Sequence, residues 1–118
     1  MLPNAGEDHN HKILMSKTLS QMEEAIERIK HELMDLGPMS PGSLSRQYRD
    51  PKTKKRPFHQ ISYTHKGRGR SEYVRSEHLA QIRRETANFK RFRKWVEQWV
   101  ALSLKTSQLR VRNTGDRS

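Results

Sequence analysis

The feature that most constrains this fold is a narrow apolar stripe that a helix cannot leave exposed. Six apolar residues recur at alternating spacings of three and four, namely Leu19, Met22, Ile26, Ile29, Leu33 and Leu36. This coiled-coil-like heptad pattern predicts an amphipathic helix over residues 17–36, with Ser16 as its N-cap and Gly37-Pro38 as its stop. The stripe must therefore pack on another helix, in the same chain or in a second copy.

A second helical pattern follows Ser76, which is predicted to cap it with Glu77 in the first turn. Its stripe consists of Leu79, Ile82, Thr86, Phe89, Phe92 (or Arg93), Val96, Trp99 and Leu102. The spacing predicts a helix over residues 77–105, with position 109 as an alternative end. We expect this long C-terminal helix to pack on the first helix, so that both stripes are buried.

Between the helices the pattern changes to that of short strands. Residues 58–65 and 70–75 are predicted to form a β-hairpin, with Gly67 and Arg68 as its two-residue loop. This register places Ile61 opposite Val74, and Tyr63 on the same core face. Residues 43–48 predict a third strand, with a helical turn as the alternative. The expected fold class is α+β: an N-terminal helix, a small three-stranded antiparallel sheet and a long C-terminal helix.

Around these elements, residues 1–15 are expected to form a flexible leader, residues 16–110 a single domain, and residues 111–118 a disordered tail. The longest apolar cluster has six residues, too few for a membrane span, and the N-terminal residues lack the apolar run of a secretory signal. There is no cysteine, so disulfides and thiol chemistry are excluded. A cytoplasmic protein without membrane contact is expected.

The positive charge is concentrated in the middle of the chain. Residues 46–94 hold 16 Lys and Arg against 4 Asp and Glu, a formal charge of +12, whereas the remaining residues sum to −1. Concentrated charge of one sign favours a polyanionic partner, and we expect nucleic acid. An ordinary solvated basic face is the alternative.

The second face of the predicted sheet carries side chains suited to bases or sugars. Those residues are Gln60, Ser62, Thr64, Tyr73 and Arg75, accompanied by Phe58. Phosphates are expected to bind the cations of the loop, the turn and the second helix. Those cations are Arg46, Lys52, Lys54, Lys55, Arg56, Lys66, Arg68, Arg70, Arg83, Arg84, Lys90, Arg91 and Lys94.

No pattern in the sequence predicts catalysis. The sequence His9-Asn10-His11 resembles a nuclease motif only superficially. His59 and His65 lie about 20 Å apart on one strand, too far to share a metal. The carboxylates cluster on the first helix, away from the basic segment, and no glycine-rich nucleotide loop is present. We therefore predict a non-enzyme with no catalytic residues, no metal and no cofactor.

Several short motifs together resemble a known family. They are Pro41-Gly42-Ser43-Leu44, the strand from Phe58 to Thr64, Lys66-Gly67, and Glu72-Tyr73-Val74-Arg75 before the Phe89–Trp99 helix. The pattern resembles a family of small, uncharacterised bacterial and archaeal proteins, some near mobile elements, over residues 20–105. That family has a cysteine knuckle where this chain has residues 49–57, without cysteine. The resemblance implies a helix–sheet–helix fold and no particular activity.

The leading hypothesis is a non-enzymatic nucleic-acid-binding protein, with double-stranded DNA favoured over RNA by analogy with other proteins that lay strands in a groove. The alternative is a protein-interaction module. In that case the stripe of residues 17–36 forms a coiled-coil homodimer or docks a partner protein such as a mobile-element recombinase.

Overall fold

The computed structural model describes the backbone of residues 5–114 and the side chains of residues 18–113. The chain runs helix, three strands, helix, as the sequence predicted. The α+β fold class and the packing of the two helices on each other are confirmed. The elements are α1 (Ala5–Met34), β1 (Ser43–Asp50), β2 (Lys55–His65), β3 (Arg68–Val74), a short 3-10 helix (Ser76–His78) and α2 (Leu79–Thr114).

The chain divides into two compact units. The helix-pair unit is Met1–Asp35 with Lys94–Ser118, and the sheet unit is Leu36–Arg93. Helix α2 contributes residues 79–93 to the sheet unit and residues 94–114 to the helix-pair unit.

In the helix-pair unit the predicted stripe of α1 is the covered side of the helix. Ile26 and Ile29 are buried. Three other residues of the stripe, Leu19, Met22 and Leu33, are half-buried. Burying apolar area of this kind is the main stabilising term for two packed helices.

Polar contacts fasten the same two helices beside this apolar seam. The Lys30 ammonium lies 5.4 Å from the centroid of the Trp99 ring, and the Arg110 guanidinium donates to the Glu23 carboxylate at 3.0 Å. Thr106 is fully buried, and its hydroxyl donates to the Ser103 carbonyl at 3.1 Å, so the buried group is satisfied within its own helix.

Both helices extend beyond their predicted limits. Helix α1 begins at Ala5, within the stretch expected to be a flexible leader, so Ser16 lies inside the helix rather than at its cap, and the helix ends at Met34 rather than 36. Helix α2 continues to Thr114, past the predicted end and into the expected tail. In the α2 extension, Gln108, Leu109, Arg110 and Arg112 are good helix formers, whereas residues 8–11 of α1 have lower helix propensity. Residues 1–4 and 115–118 lie outside the described residues.

The entry to α2 also differs from the prediction. Ser76 begins a 3-10 turn instead of capping the α-helix, and the N-cap position of that turn is Arg75, which makes no side-chain capping hydrogen bond. A 3-10 turn is a common way to begin an α-helix, because it satisfies early backbone groups with tighter hydrogen bonds.

The sheet is an antiparallel meander in the order β1-β2-β3, and residues 43–48 are strand rather than helical turn. The predicted hairpin loop was wrong by one residue. Lys66 and Gly67 form the turn, with φ of 52° and 76°, the left-handed pair that a two-residue turn of type I′ requires. Val74 consequently lies opposite His59, not Ile61. Because this register differs from the predicted one by two residues, each side chain keeps its predicted face, and Ile61 and Val74 are buried.

The segment before β1 ties the sheet to the first part of α2. Ser40 donates its backbone N–H to the Glu85 carbonyl at 3.1 Å and its hydroxyl to the Glu85 carboxylate at 3.0 Å. The Asn88 amide donates to the Pro38 carbonyl at 2.9 Å. A Cβ at Gly42 would lie 2.8 Å from the Ser62 carbonyl oxygen, so only glycine allows β1 to approach β2 this closely. We call residues 38–42, which hold the start of β1 against β2 and α2, the clamp.

Candidate nucleic-acid interface

The two units differ sharply in charge. The sheet unit carries 15 Lys and Arg against 4 Asp and Glu, a formal charge of +11. The helix-pair unit carries 9 of each and sums to zero. The whole formal charge of the chain therefore resides in the unit that contains the sheet. Of the predicted phosphate-binding residues, only Lys94 belongs to the other unit, where it begins the second part of α2.

Few of these cations are neutralised locally. Within residues 18–113, one Lys or Arg of the sheet unit has a carboxylate within 4.0 Å: Arg75, at 3.6 Å from Glu77. Two other arginines rest on aromatic rings, Arg46 on Tyr48 at 5.5 Å and Arg93 on Phe89 at 5.9 Å. These contacts orient a guanidinium without cancelling its charge. The unit therefore keeps a strong positive field.

The outer face of the sheet, opposite Ile61 and Val74, is a polar surface built from all three strands. In register across the sheet lie Ser43, Ser62 and Ser71, followed by Ser45, Gln60 and Tyr73. The Ser62 and Ser71 hydroxyls are 3.1 Å apart, and the Gln60 amide donates to the Ser62 hydroxyl at 3.5 Å. We call this set of side chains, with Phe58 and Thr64, the open face. The predicted base-contacting residues Gln60, Ser62, Thr64 and Tyr73 do lie together on it.

Two aromatic residues stand at one end of the open face. The Phe58 and Tyr73 ring centroids are 6.4 Å apart with the planes tilted by 45°, and Tyr73 is 63% exposed. An exposed aromatic ring on a polar, cation-rimmed sheet offers a nucleobase a surface for stacking. Arg75 follows directly after β3 at this end of the strand.

The basic loops do not form one cluster. The loop with Lys52, Lys54, Lys55 and Arg56 precedes or begins β2, whereas the turn with Lys66, Arg68 and Arg70 follows its end. Strand β2 has 11 residues, so the two groups lie about 33 Å apart at ~3.3 Å per residue. The cations of residues 46–94 therefore do not form a single tight cluster. The meander places its two turns at opposite ends of β2, because each strand reverses the chain direction.

The cations of α2 lie along the other side of the sheet. The Arg83 guanidinium is 3.5 Å from the His59 imidazole on the face that also holds Ile61, so this part of α2 covers the inner face. Arg84, Lys90 and Arg91 are exposed on the same helix. The predicted set therefore surrounds the sheet unit: loops at both ends of the sheet and a row on the helix.

One cleft unites residues from the sheet and α2 that the sequence did not single out. It has a volume of about 580 Å³ and lies where the start of β1, the β2–β3 hairpin and residues 89–93 of α2 meet. Its lining includes four predicted site residues, Ser62, Thr64, Arg70 and Lys90, together with Arg93, Tyr63 and Ser71, which were not predicted as site residues. The interleaving of aromatics and cations over residues 89–95 was visible in the sequence, but which cation faced the hairpin was not.

An acidic side chain near the cleft is already engaged. The Tyr63 hydroxyl donates to the Glu72 carboxylate at 2.9 Å. This hydrogen bond raises the pKa of the Tyr63 phenol above its ordinary value, so the phenol stays neutral at physiological pH. Glu72 therefore accepts from a neutral donor rather than forming an ion pair with Arg70.

Within residues 18–113, no group of three or more His, Asp and Glu side chains could hold a metal ion. In the described part of the chain, neither helix has a stretch both long and apolar enough for a bilayer span.

Comparisons of the chain with protein-family models, with curated proteins and with solved structures found no match. What the protein binds is therefore inferred from its charges, faces and distances.

Proposed function

We propose that this protein binds nucleic acid through the sheet unit and catalyses no reaction on it, with duplex DNA as the favoured ligand. The observation that carries the proposal is the pairing state of the cations. The sheet unit holds 15 Lys and Arg residues, and among its described cations only Arg75 has a carboxylate partner. Uncompensated charge at this density lowers the stability of the free unit, and phosphates relieve it.

The spread of the cations supports an extended ligand over a small anion. The two basic loops lie about 33 Å apart along β2, so a single metabolite cannot reach both. A duplex carries about one negative charge per 1.7 Å of its axis, and a stretch of 33 Å therefore presents about 20 phosphates. A polynucleotide is the common cellular polyanion that matches this dimension.

The open face supports a role in contacting bases or sugars between the two basic ends. Its hydroxyl and amide side chains donate and accept hydrogen bonds, and none of the residues facing outward in the two central rows is charged. Cations at the rim and neutral polar groups in the middle are the arrangement in which phosphate contacts position a ligand and side chains read it. A cytoplasmic location belongs to this proposal, since nucleic acid is available there.

The test is a salt titration with labelled duplex DNA, single-stranded DNA and structured RNA. We expect affinity to fall steeply with salt, by a log–log slope of about 0.9 per phosphate contact on the duplex. A flat response between low and physiological salt contradicts the proposal. The order of the three ligands tests the preference for duplex DNA separately from nucleic-acid binding itself.

A matched pair of variants locates the binding surface. K52Q/K54Q removes two charges from the β1–β2 loop, and K105Q/R112Q removes two exposed charges from the helix-pair unit. We expect the first to reduce the salt slope by up to about 1.8 and the second to leave it nearly unchanged. Equal effects would assign binding to net charge alone.

The protein-interaction alternative loses its main support. Ile26 and Ile29, at the centre of the α1 stripe, are 8% and 4% exposed within the single chain. A second copy or a docked partner would need these side chains free, and they are already covered.

A further inference from the structure

The cleft between the hairpin and α2 has a composition that selects for one kind of ligand. Three cations line it, Arg70 from β3 and Lys90 and Arg93 from α2, and no carboxylate does. The remaining polar lining consists of hydroxyl residues, including Ser43, Thr64 and Ser71. Its volume of about 580 Å³ falls in the range of ordinary ligand sites, about 300–1,000 Å³. Cations and hydroxyls without acids are the groups that hold phosphate oxygens.

The side chains around the cleft do not neutralise its cations. Glu72, the acid closest along β3 to Arg70, accepts the Tyr63 hydroxyl at 2.9 Å, which leaves Arg70 without a carboxylate partner. Arg93 lies over the Phe89 ring, 5.9 Å from its centroid, so its guanidinium is oriented by a neutral surface. The site is therefore cationic before any ligand arrives.

The cleft lacks amide and carboxylate side chains, and its arginines and lysine are groups that contact guanine as well as phosphate. Its lining contains no Asn, Gln, Asp or Glu, the residues that pair with adenine or cytosine edges. The open face carries the amides instead, at Gln47 and Gln60. The cleft shares four hydroxyl residues with the open face and differs from it in its three cations and its lack of amides; the shared residues are Ser43, Ser62, Thr64 and Ser71.

We propose that this cleft is a phosphate site for the sugar–phosphate backbone of the bound nucleic acid, independent of base sequence. This inference rests on the proposed function, since it assigns one part of the polyanion to one part of the surface. Lys90 and Arg93 supply charge from the helix, and Arg70 supplies it from the hairpin. The bound phosphates fix the position of the strand while the open face contacts bases or sugars.

Two double variants on the same helix test the assignment. K90Q/R93Q removes two cations from the cleft, and K105Q/R112Q removes two exposed cations of α2 that lie outside its lining, in the helix-pair unit. Salt titrations on duplexes of two unrelated sequences should show a slope shallower by up to about 1.8 for the cleft variant, equally for both sequences, and little change for the control. Arg70→Gln, on a different element, should reduce the slope by up to about 0.9. It guards against a local disturbance of α2, and circular dichroism checks that each variant is folded.

The outcomes separate the two proposals. If the wild-type protein binds DNA with a steep salt slope but both double variants reduce that slope equally, the cleft assignment is overturned and nucleic-acid binding stands. A flat wild-type response overturns the proposed function and this inference with it. A last measurement tests inorganic tripolyphosphate as a ligand and as a competitor of DNA. Saturable binding at micromolar concentration that K90Q/R93Q abolishes would show a site for small phosphorylated molecules instead, whereas competition only at millimolar concentration supports the backbone assignment.

Discussion

The helix-pair unit and the sheet unit manage their charges in opposite ways. The helix-pair unit sums to zero, and its described ion pairs join Glu23 to Arg110 and Glu27 to Lys30. The sheet unit carries +11, and among its described Lys and Arg side chains a single ion pair joins Arg75 to Glu77. The charges of one unit balance and those of the other do not, and the proposed binding rests on this difference.

The apolar residues divide differently from the charges. Among the side chains of residues 18–113, two apolar ones are buried in each unit, Ile26 and Ile29 in the helix pair and Ile61 and Val74 in the sheet. Such thin cores leave little stability to lose in either unit. The proposed division between the units therefore rests on their surfaces rather than their cores, and it can be tested by changing cores and surfaces separately.

The largest expected effect comes from the helix-pair core. Ile29→Ala removes the most buried apolar side chain of that unit and should lower the free energy of unfolding by about 2–4 kcal/mol, the cost of an unfilled cavity. Met34→Ala, at a side chain that is 79% exposed, is the matched control and should change it by less than about 0.5 kcal/mol. Chemical denaturation measures both. DNA affinity is then measured at temperatures where the Ile29 variant stays folded. Unchanged affinity supports the proposed division between the units, and lost affinity contradicts it.

An intermediate effect is expected at the clamp before β1. Gly42→Ala places a Cβ 2.8 Å from the Ser62 carbonyl oxygen and 3.0 Å from Ile61 Cγ1, and should cost about 1–3 kcal/mol by forcing β1 away from β2. Gly69→Ala is the control, because nothing lies within 4 Å of its added Cβ. Hydrogen exchange should show faster exchange in β1 for the first variant alone. Equal protection in the two variants would mean that the clamp does not hold the strand.

The smallest effect compares one acid from each unit. Glu72→Gln and Glu23→Gln remove the same charge, but only the first lies in the sheet unit. We expect Glu72→Gln to raise DNA affinity about two- to fivefold at low salt, and Glu23→Gln to leave it unchanged while altering stability by no more than about 1 kcal/mol. An equal rise in both variants would show that the distribution of charge between units is irrelevant.

The same Glu72 variant has a readout that does not depend on DNA. The hydrogen bond to the Glu72 carboxylate raises the pKa of Tyr63, so its removal should lower that pKa toward the ordinary tyrosine value. Because the folded-state pKa is the raised one, the stabilising contact is present below the unfolded-state pKa and is lost as the pH rises through the folded-state pKa. Phenolate absorbance in an alkaline titration measures the shift, and Glu23→Gln should leave it unchanged.

The sequence alone determined the elements and their faces. The spacing of the α1 stripe identified the side of the helix that is buried, because a period of 3.6 residues places those side chains in one row. Alternation along β2 likewise assigned Ile61 inward and Gln60 outward, and these assignments survived the error in register, since that error was an even number of residues. The concentration of charge in the middle of the chain was equally plain from the order of residues.

Only the tertiary structure decided which cations meet. Residues close in sequence, such as Lys90 and Arg91, divide between the cleft and the exposed side of α2, whereas Arg70 and Arg93, from different elements, line the same cleft. The two basic loops are close in the chain, but the meander places them at opposite ends of β2, so the length of that strand separates them. The physical reason is that local patterns fix periodicity within an element, while strand reversal and helix packing bring distant residues together, and these depend on long-range contacts that no single segment encodes.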